Sequence, residues 1–479
     1  MDYSATGHGN YIIGLVKNSS QAKRISALQL AKYSKGEFNL LYPKSPVYTR
    51  LLDQIIKLPV IDCHEHMFGP ESRPKYKEPI AALFRSYVVH DLESAAFGIP
   101  GRELQRIFDP EVTTDEKWPT FKKLWPAIEH TAYARVTKLI LKNVYGGSEL
   151  TREALDRVAE KLAALDEAAY LRTIDEAGIQ AMIVDVIGWL PQGLESFLDG
   201  RKTFPAKWKP MISLPGFHPT GINKQALQWV GGLINRHITS LDEYLEAVYS
   251  VFKLLMDKGA IGIKDQSAYE RIISYDLVPK SEAEKQFNHL ISDPRNSLGW
   301  PDSKPLNDYL FHAYMRFARE LKLPVQLHTG HMAGTFNRVD KTNAAYLAPV
   351  FELHSEVRFD LFHGNWPYMG DLLYLGKNYP NVALDLCWLH IIDPAYAIEL
   401  LERAVATMPH TKIHGFGGDY GDEPEFAVAH LQVARQNIAA ALANLVEGSW
   451  LEEEQALEIA KGWLFNNPNR FFGLGFTEI

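Results

Sequence analysis

Pro59-Val-Ile-Asp-Cys-His64-Glu65-His66 places two imidazoles one residue apart at the end of an apolar run. In a strand, residues i and i+2 project to the same face, so the two rings converge. Neutral imidazole nitrogens suit Zn²⁺ and similar divalent ions. The same His-x-His would also fit a surface loop with no ligand. Two further apolar runs end the same way: His328 follows Pro-Val-Gln-Leu and His363 follows Phe-Asp-Leu-Phe. A lone histidine after a strand is ordinarily a hydrogen-bonded core residue, but three such runs ending in histidine repeat a position as well as a residue type. The last apolar run, Lys412-Ile-His-Gly-Phe-Gly-Gly-Asp419, ends in a carboxylate behind two glycines that permit close backbone approach. An Asp after Gly-Gly is ordinarily a turn residue; beside three histidine-ended runs, a ligand role is favoured.

Positioning these residues falls to short Val-, Ile- and Leu-rich runs at Val60 to Asp62, Ala181 to Ile187, Met211 to Leu214, Ala260 to Ile263, Pro324 to Leu327, Val357 to Phe362, Val382 to Leu386 and Ile413 to Phe416. Continuous apolar runs of this length indicate strands buried on both faces, as in parallel sheets covered by helices. Between them lie helical patterns: Leu241 to Lys258, stopping at Gly259, and also Leu306 to Leu321 and Phe426 to Leu445. Eight strands alternating with helices fit a closed (β/α)₈ barrel or an open doubly wound sheet almost equally well. The first connection is anomalous. Roughly 120 residues separate the first two strands, including the helical stretch Thr151 to Ala177, and connections this long are usually lids or inserted subdomains. Residues 1–57, with helix-like segments at Gln21 to Tyr33 and Val47 to Lys57, read as an N-terminal helical cap. Residues 58–479 read as the barrel, with an insertion at about 67–178. Asp265 to Pro305, carrying Tyr269, Arg271 and Trp300, is a second long excursion suited to covering a site.

The composition excludes several classes. The 479 residues are 46% hydrophobic and 23% charged, which is globular. A net charge of -8 without a strongly basic run argues against a nucleic-acid partner. No apolar run reaches the ~20 residues of a membrane span. Two cysteines, Cys63 and Cys387, make no disulfide framework, and no leader pattern is present, so the expected location is cytoplasmic. A homo-oligomer is left open.

With these motifs in hand, the sequence resembles the amidohydrolase superfamily from about Pro59 to Asn466-Asn-Pro-Asn-Arg-Phe-Phe. The stretches Gly262-Ile-Lys-Asp-Gln-Ser-Ala-Tyr-Glu-Arg271, Val325-Gln-Leu-His-Thr-Gly330 and Val382-Ala-Leu-Asp-Leu look most like its amidohydrolase-2 branch. Within that branch they are similar to the nodulin-type domain fused to glutamine synthetase-like proteins, and the branch is also similar to uronate isomerases, which share the long insertion. The resemblance implies the barrel. It also implies that His64, His66, His328 and Asp419 bind a divalent metal, expected to be Zn²⁺, that His363 binds metal or orients its water, and that Asp419 shuttles the proton. Lys264 falls where other members carry a carboxylated lysine bridging two metals; left uncarboxylated, it would pair with a substrate carboxylate or with a rim acid such as Asp265. One metal is therefore expected, and a second only with Lys264 carboxylated.

Tyr269, Arg271 and His331 are candidate substrate contacts, the first two by the Ala-Tyr-x-Arg pattern of the nodulin-type domains and His331 by its glycine-flanked loop; each has a plainer alternative as an ion-pair or solvated residue. His218 could reach the mouth from the third strand. Trp388 and His390 read as rim packing, and Cys63 as a buried small hydrophobe pointing away from the imidazoles. The expected reaction is hydrolysis of a small, carboxylated amide, ester or lactone by activated water, with Asp419 as general base and then general acid. A decarboxylase or uronate-isomerase-like enzyme is the main alternative, and a non-catalytic binding barrel ranks below both, because every expected ligand is present.

Overall fold

The computed structural model describes Tyr42 and residues 45–147, 149–162, 166–187 and 191–479. The helix expected at Gln21 to Tyr33, with most of the proposed cap, lies outside these residues. The chain divides after Tyr42, so the helix Pro46–Ile55 belongs to the same unit as everything that follows. Ser45 caps it by accepting from Tyr48 N–H, and its Leu51 and Ile55 face pack against the C-terminal helices Pro424–Glu447 and Glu453–Lys461.

Eight strands form one sheet: β1 Val60–Glu65, β2 Ile179–Ile187, β3 Trp208–Ser213, β4 Gly262–Asp265, β5 Val325–Leu327, β6 Phe359–Leu361, β7 Val382–Asp385 and β8 Ile413–His414. They lie side by side in chain order, every neighbouring pair parallel. Side chains such as Ile183, Ile212, Ile263 and Val325 are fully buried, as expected where helices cover a sheet whose interior is also filled. The sheet closes through backbone hydrogen bonds between β1 and the segment after β8. Cys63 N–H donates to Phe416 O, Asp419 N–H to His64 O at 2.9 Å, and His66 N–H to Tyr420 O at 2.8 Å. Beyond the two residues of β8, Gly415 N–H donates to Trp463 O, while Phe416 and Gly418 turn to β1, Gly418 N–H donating to Asp62 Oδ1 at 3.1 Å. A Cβ on Gly418 would lie 1.9 Å from Glu65 Oε1, so no side chain fits there.

The stretch between β1 and β2 is helical. Among the described residues it contains Pro79–Phe84, Val88–Ala95, Gly101–Phe108, Thr114–Ile128, Ala132–Asn143, Arg152–Leu162 and Glu167–Glu176. The single helical stretch expected at Thr151 to Ala177 is thus two helices. Local chemistry sets the starts: Thr113 and Glu116 make a capping box, Thr131 caps through Ala134 N–H, and Glu78 accepts from Ile80 and Ala81 N–H. Glu78 also pairs with the buried Lys117 and accepts from Thr114, tying two of these helices together. As expected, Leu241–Asp257 starts at Ser240 and is followed by Gly259 at φ +103°. The second excursion holds the helix Lys280–Ser292 and a two-residue antiparallel pairing of Ile222–Asn223 with Ser297–Leu298.

Candidate metal centre at the barrel mouth

β1 carries His64 and His66 to the carboxyl end of the barrel, where Asp419 arrives from the closing seam. His66 Nε2 lies 3.1 Å and His64 Nε2 3.5 Å from Asp419 Oδ1, and His363 Nε2 lies 3.9 Å from Oδ2. His328 joins the group from the end of β5, its Nδ1 3.3 Å from His363 Nε2. The expected set His64, His66, His328, His363 and Asp419 is brought together.

Each of three rings has its other nitrogen fixed by a backbone carbonyl. His66 Nδ1 meets Asp185 O at 3.0 Å, His363 Nδ1 meets Cys387 O at 2.9 Å, and His328 Nε2 meets His331 O at 2.8 Å. A carbonyl can only accept, so each of those nitrogens carries the proton and the opposite nitrogen of the neutral ring presents a lone pair. The consequence is that bare acceptors face one another: His328 Nδ1 against His363 Nε2, and His66 Nε2 against a carboxylate oxygen. Such an arrangement is repulsive without a cation and is the usual orientation of metal-binding imidazoles. The donor set therefore fits a divalent ion. Two groups of atoms converge within 4.8 Å: His64, His66 and Asp185, and His363, Cys387 and Asp419.

Electrostatics agree. Burial, followed by the nearby Lys264 ammonium, holds His64 well below the usual imidazole range; burial also lowers His328 strongly and brings His363 to about 3. These rings stay neutral at physiological pH. Burial opposes ionisation of Asp419 too, but the hydrogen bond from His66 and the ring of imidazoles around it outweigh burial and keep the carboxylate well below its ordinary value. In the absence of an ion, burial disfavours a second proton on His66, yet Asp419 draws one there and raises it.

The backbone at this rim is unusual. His363, Asn365, Trp388 and Asp419 all have positive φ, between 49° and 64°, which non-glycine residues adopt rarely. Backbone strain of this kind clusters at functional sites. Asp419 is held at its N–H by His64 O and at its carbonyl by the Tyr87 hydroxyl from the insertion.

Lys264 is buried, with Nζ 3.3 Å from the Phe362 ring centroid, and burial lowers it despite the opposing charges of Asp419 and Asp185. Its neighbour Asp265 does not pair with it; that carboxylate accepts from Ser267 and Tyr275. Tyr269 lies at the rim, 45% exposed, with its ring 4.8 Å from that of His328. His331 stands between Tyr133 and Trp388, and burial lowers it to about 4. Arg271 is placed differently. It is fully buried, donates to Asp308 and to the carbonyls of Ile272 and Ser274, and lies over Tyr275 and Trp300, so its contacts form an internal ion pair and not a rim anchor. His218 is likewise buried, 3.7 Å from Asp265 and packed on Phe311 and Tyr314. Cys63 is buried as expected but shares its surroundings with Asp385 and His414, so it is not simply a hydrophobe.

Sequence reasoning missed Asp185, Cys387 and the aromatic wall. Asp185 lies near the end of an apolar run, the criterion applied to the histidines but not to this acid. Trp388, read as packing, stacks on Tyr87 with centroids 4.2 Å apart and meets His363 at 5.3 Å. Tyr87 and Tyr133 come from the insertion, where nothing local marks them. A cavity of about 370 Å³ opens over the centre, lined by His66, Asp185 and Asp419 below and Arg85, Tyr87 and His90 above. A larger cavity of about 780 Å³ lies alongside and is lined by none of His64, His66, His328, His363 and Asp419; Glu423 lines both.

Comparison with known proteins agrees with this architecture. A curated relative, protein fluG of Emericella nidulans, is 28% identical over 229 residues, which is 46% of this chain and 26% of that protein, so the match spans about a quarter of the relative's length. Among solved structures, a uronate isomerase from Thermotoga maritima superposes with a TM-score of 0.71 at 14% identity, covering 91% of this chain and 99% of that one. A glucuronate isomerase from Caulobacter crescentus gives 0.69 at 17% identity, covering 92% and 97%. A protein from Lactobacillus casei, assigned as a metal-dependent hydrolase, gives 0.61 at 18%, covering 88% and 97%. At these identities the likeness is one of fold. The resemblance first suggested by the strand-end histidines is carried by the amidohydrolase family model, which matches residues 293–474 and so takes in His328, His363 and Asp419 on a (β/α)₈ barrel.

Proposed function

We propose that this protein is a metal-dependent hydrolase, acting on a small carboxylated amide, ester or lactone. The observation that carries the reading is the orientation of three imidazoles, each fixed by a backbone carbonyl: His66 and His363 turn the opposite nitrogen toward Asp419, and His328 turns its own toward His363. His64, His66, His328 and Asp419 would hold one divalent ion, with Zn²⁺ favoured by the nitrogen-rich donor set. Such an ion supplies Lewis acidity and makes water acidic enough to react near neutral pH.

The chain's own residues supply the rest. Asp419 takes the proton of the attacking water and returns it to the leaving group. His363, held by Cys387 O, keeps a neutral ring beside that carboxylate. Lys264 adds positive potential under the site, favouring charge that develops on a substrate oxygen. Tyr269 and His331 flank the entrance, and Arg271 supports the loop bearing Tyr269 through Asp308. Arg85 at the cavity's upper side provides the cationic character a carboxylated substrate needs, in place of Arg271. We place the protein in the cytoplasm with a small-molecule substrate; among the described residues no helix is long and apolar enough to cross a membrane.

A second reading, isomerisation of a uronic acid, is supported by the fold likeness to the two uronate isomerases and uses the same ligands. Incubating zinc-loaded protein with carboxylated lactones, esters, amides and uronates, followed by NMR of the products, separates the two. Hydrolysis products support the first reading; an aldose-to-ketose conversion without hydrolysis replaces it.

A further inference from the structure

Beneath the mouth, the barrel interior is divided. On one side Cys63, Ile183 and Met211 cluster with Phe472. On the other, Gln326 of β5, Asp360 of β6, Asp385 of β7 and His414 of β8 are all buried. Gln326 Nε2 donates across the barrel to Cys63 O at 2.9 Å, which places this group inside the ring of strands. Barrel interiors are ordinarily filled by branched apolar side chains. Two carboxylates and an imidazole there are costly unless compensated.

The groups satisfy one another only in part: Gln326 Nε2 also donates to Asp360 Oδ2 at 3.3 Å. His414 Nδ1 lies 2.9 Å from Asp360 Oδ1 and 3.9 Å from Asp385 Oδ2, yet these three atoms and Gln326 Oε1 have no aligned hydrogen-bond partner. Asp385 Oδ1 is engaged by Cys387 N–H at 2.7 Å, which turns Oδ2 inward. Cys63 Sγ, an Asp385 oxygen and a His414 nitrogen all lie within 4.8 Å of one another.

We propose that Cys63, Asp385 and His414, joined by Asp360, form a second divalent-metal site inside the barrel. Thiolate, imidazole and carboxylate together suit Zn²⁺, and a fully buried set of this kind is of the structural type. The ion would stand in for the missing partners and neutralise the paired carboxylates. Phe471 and Phe472 close the site from below, their rings 4.7 Å and 5.7 Å from His414. Uptake therefore accompanies docking of the C-terminal helix Asn467–Phe472. The inference is independent of the mouth chemistry, which uses other atoms.

Cobalt substitution tests it. Cys63 and Cys387 are the chain's two cysteines. A His64→Ala/His66→Ala/Cys387→Ser variant therefore loses two of the mouth ligands and the mouth thiol and keeps Cys63 as the sole thiol. Dialysed against Co²⁺ and freed of excess, it should retain one ion per chain and show the near-ultraviolet cobalt–thiolate charge-transfer band. His414→Asn added to this background should abolish both, with the far-ultraviolet circular dichroism retained. A folded triple variant that binds no Co²⁺, or binds it without a thiolate band, overturns the proposal. Loss of a single ion between wild type and His64→Ala/His66→Ala reports on the mouth separately, so failure at one site is distinguishable from failure at the other.

Discussion

Asp419 is held from three directions: its N–H by His64 O, its carbonyl by Tyr87 and its carboxylate by the imidazoles. On the proposed mechanism, a side chain so restrained moves a proton without moving itself. Asp419→Asn keeps the shape but cannot carry the proton. Turnover of the metal-loaded variant should fall by at least the ~10²-fold that general acid–base catalysis commonly supplies. Native turnover at full metal occupancy would remove Asp419 from the mechanism. His64→Ala/His66→Ala should lower bound metal by one ion per chain, read by elemental analysis, while circular dichroism stays native, because the apolar core does not depend on that ion. Unchanged metal content would mean that the ligands are misassigned.

At the scale of elements, the insertion supplies the upper wall of the cavity, and its integrity depends on a buried ion pair. Lys117 is 1% exposed and its ammonium pairs with Glu78, which also caps the helix Pro79–Phe84. Lys117→Ala leaves that carboxylate buried without its cation and should cost about 3–5 kcal/mol. Hydrogen exchange should show residues 79–128 opening first, and uniform loss of protection across the barrel strands would count against a local role. None of this could be read in advance. Strand-end histidines were legible because burial on both faces makes continuous apolar runs and the chemistry falls where the runs stop. Tyr87, Tyr133 and Lys117 were not, since their partners lie tens or hundreds of residues away and their own surroundings are ordinary amphipathic helix. Arg271 shows the converse: a motif pointed to substrate, but Asp308, one turn inside the helix Lys304–Leu321, claims the guanidinium.

For the molecule as a whole, acid should act through histidines buried in neutral form. His390 donates from Nε2 to Gly415 O at 2.8 Å and accepts at Nδ1 from Asn437 at 3.2 Å, so only the neutral ring satisfies both partners. Burial lowers it to about 4. The unfolded chain, titrating near 6.5, therefore binds the proton first, and stability present above pH ~6.5 is lost as pH falls toward about 4, by about 3 kcal/mol for this one group. Urea unfolding between pH 7.5 and 4 should show the decline, and His390→Gln should flatten it; an unchanged slope would assign the decline to other groups. The seam that closes the barrel has a consequence in time. Tyr420 N–H binds Glu65, 355 residues earlier in the chain. On the ribosome, His64 and His66 emerge long before Asp419 is synthesised, and at about 5–20 residues per second they wait for roughly 20–70 seconds. On the proposed ligand set the nascent chain displays an incomplete chelate during that interval, so whatever metal it meets first would be held only loosely and exchanged, and the choice of ion would be deferred until the final strand is in place.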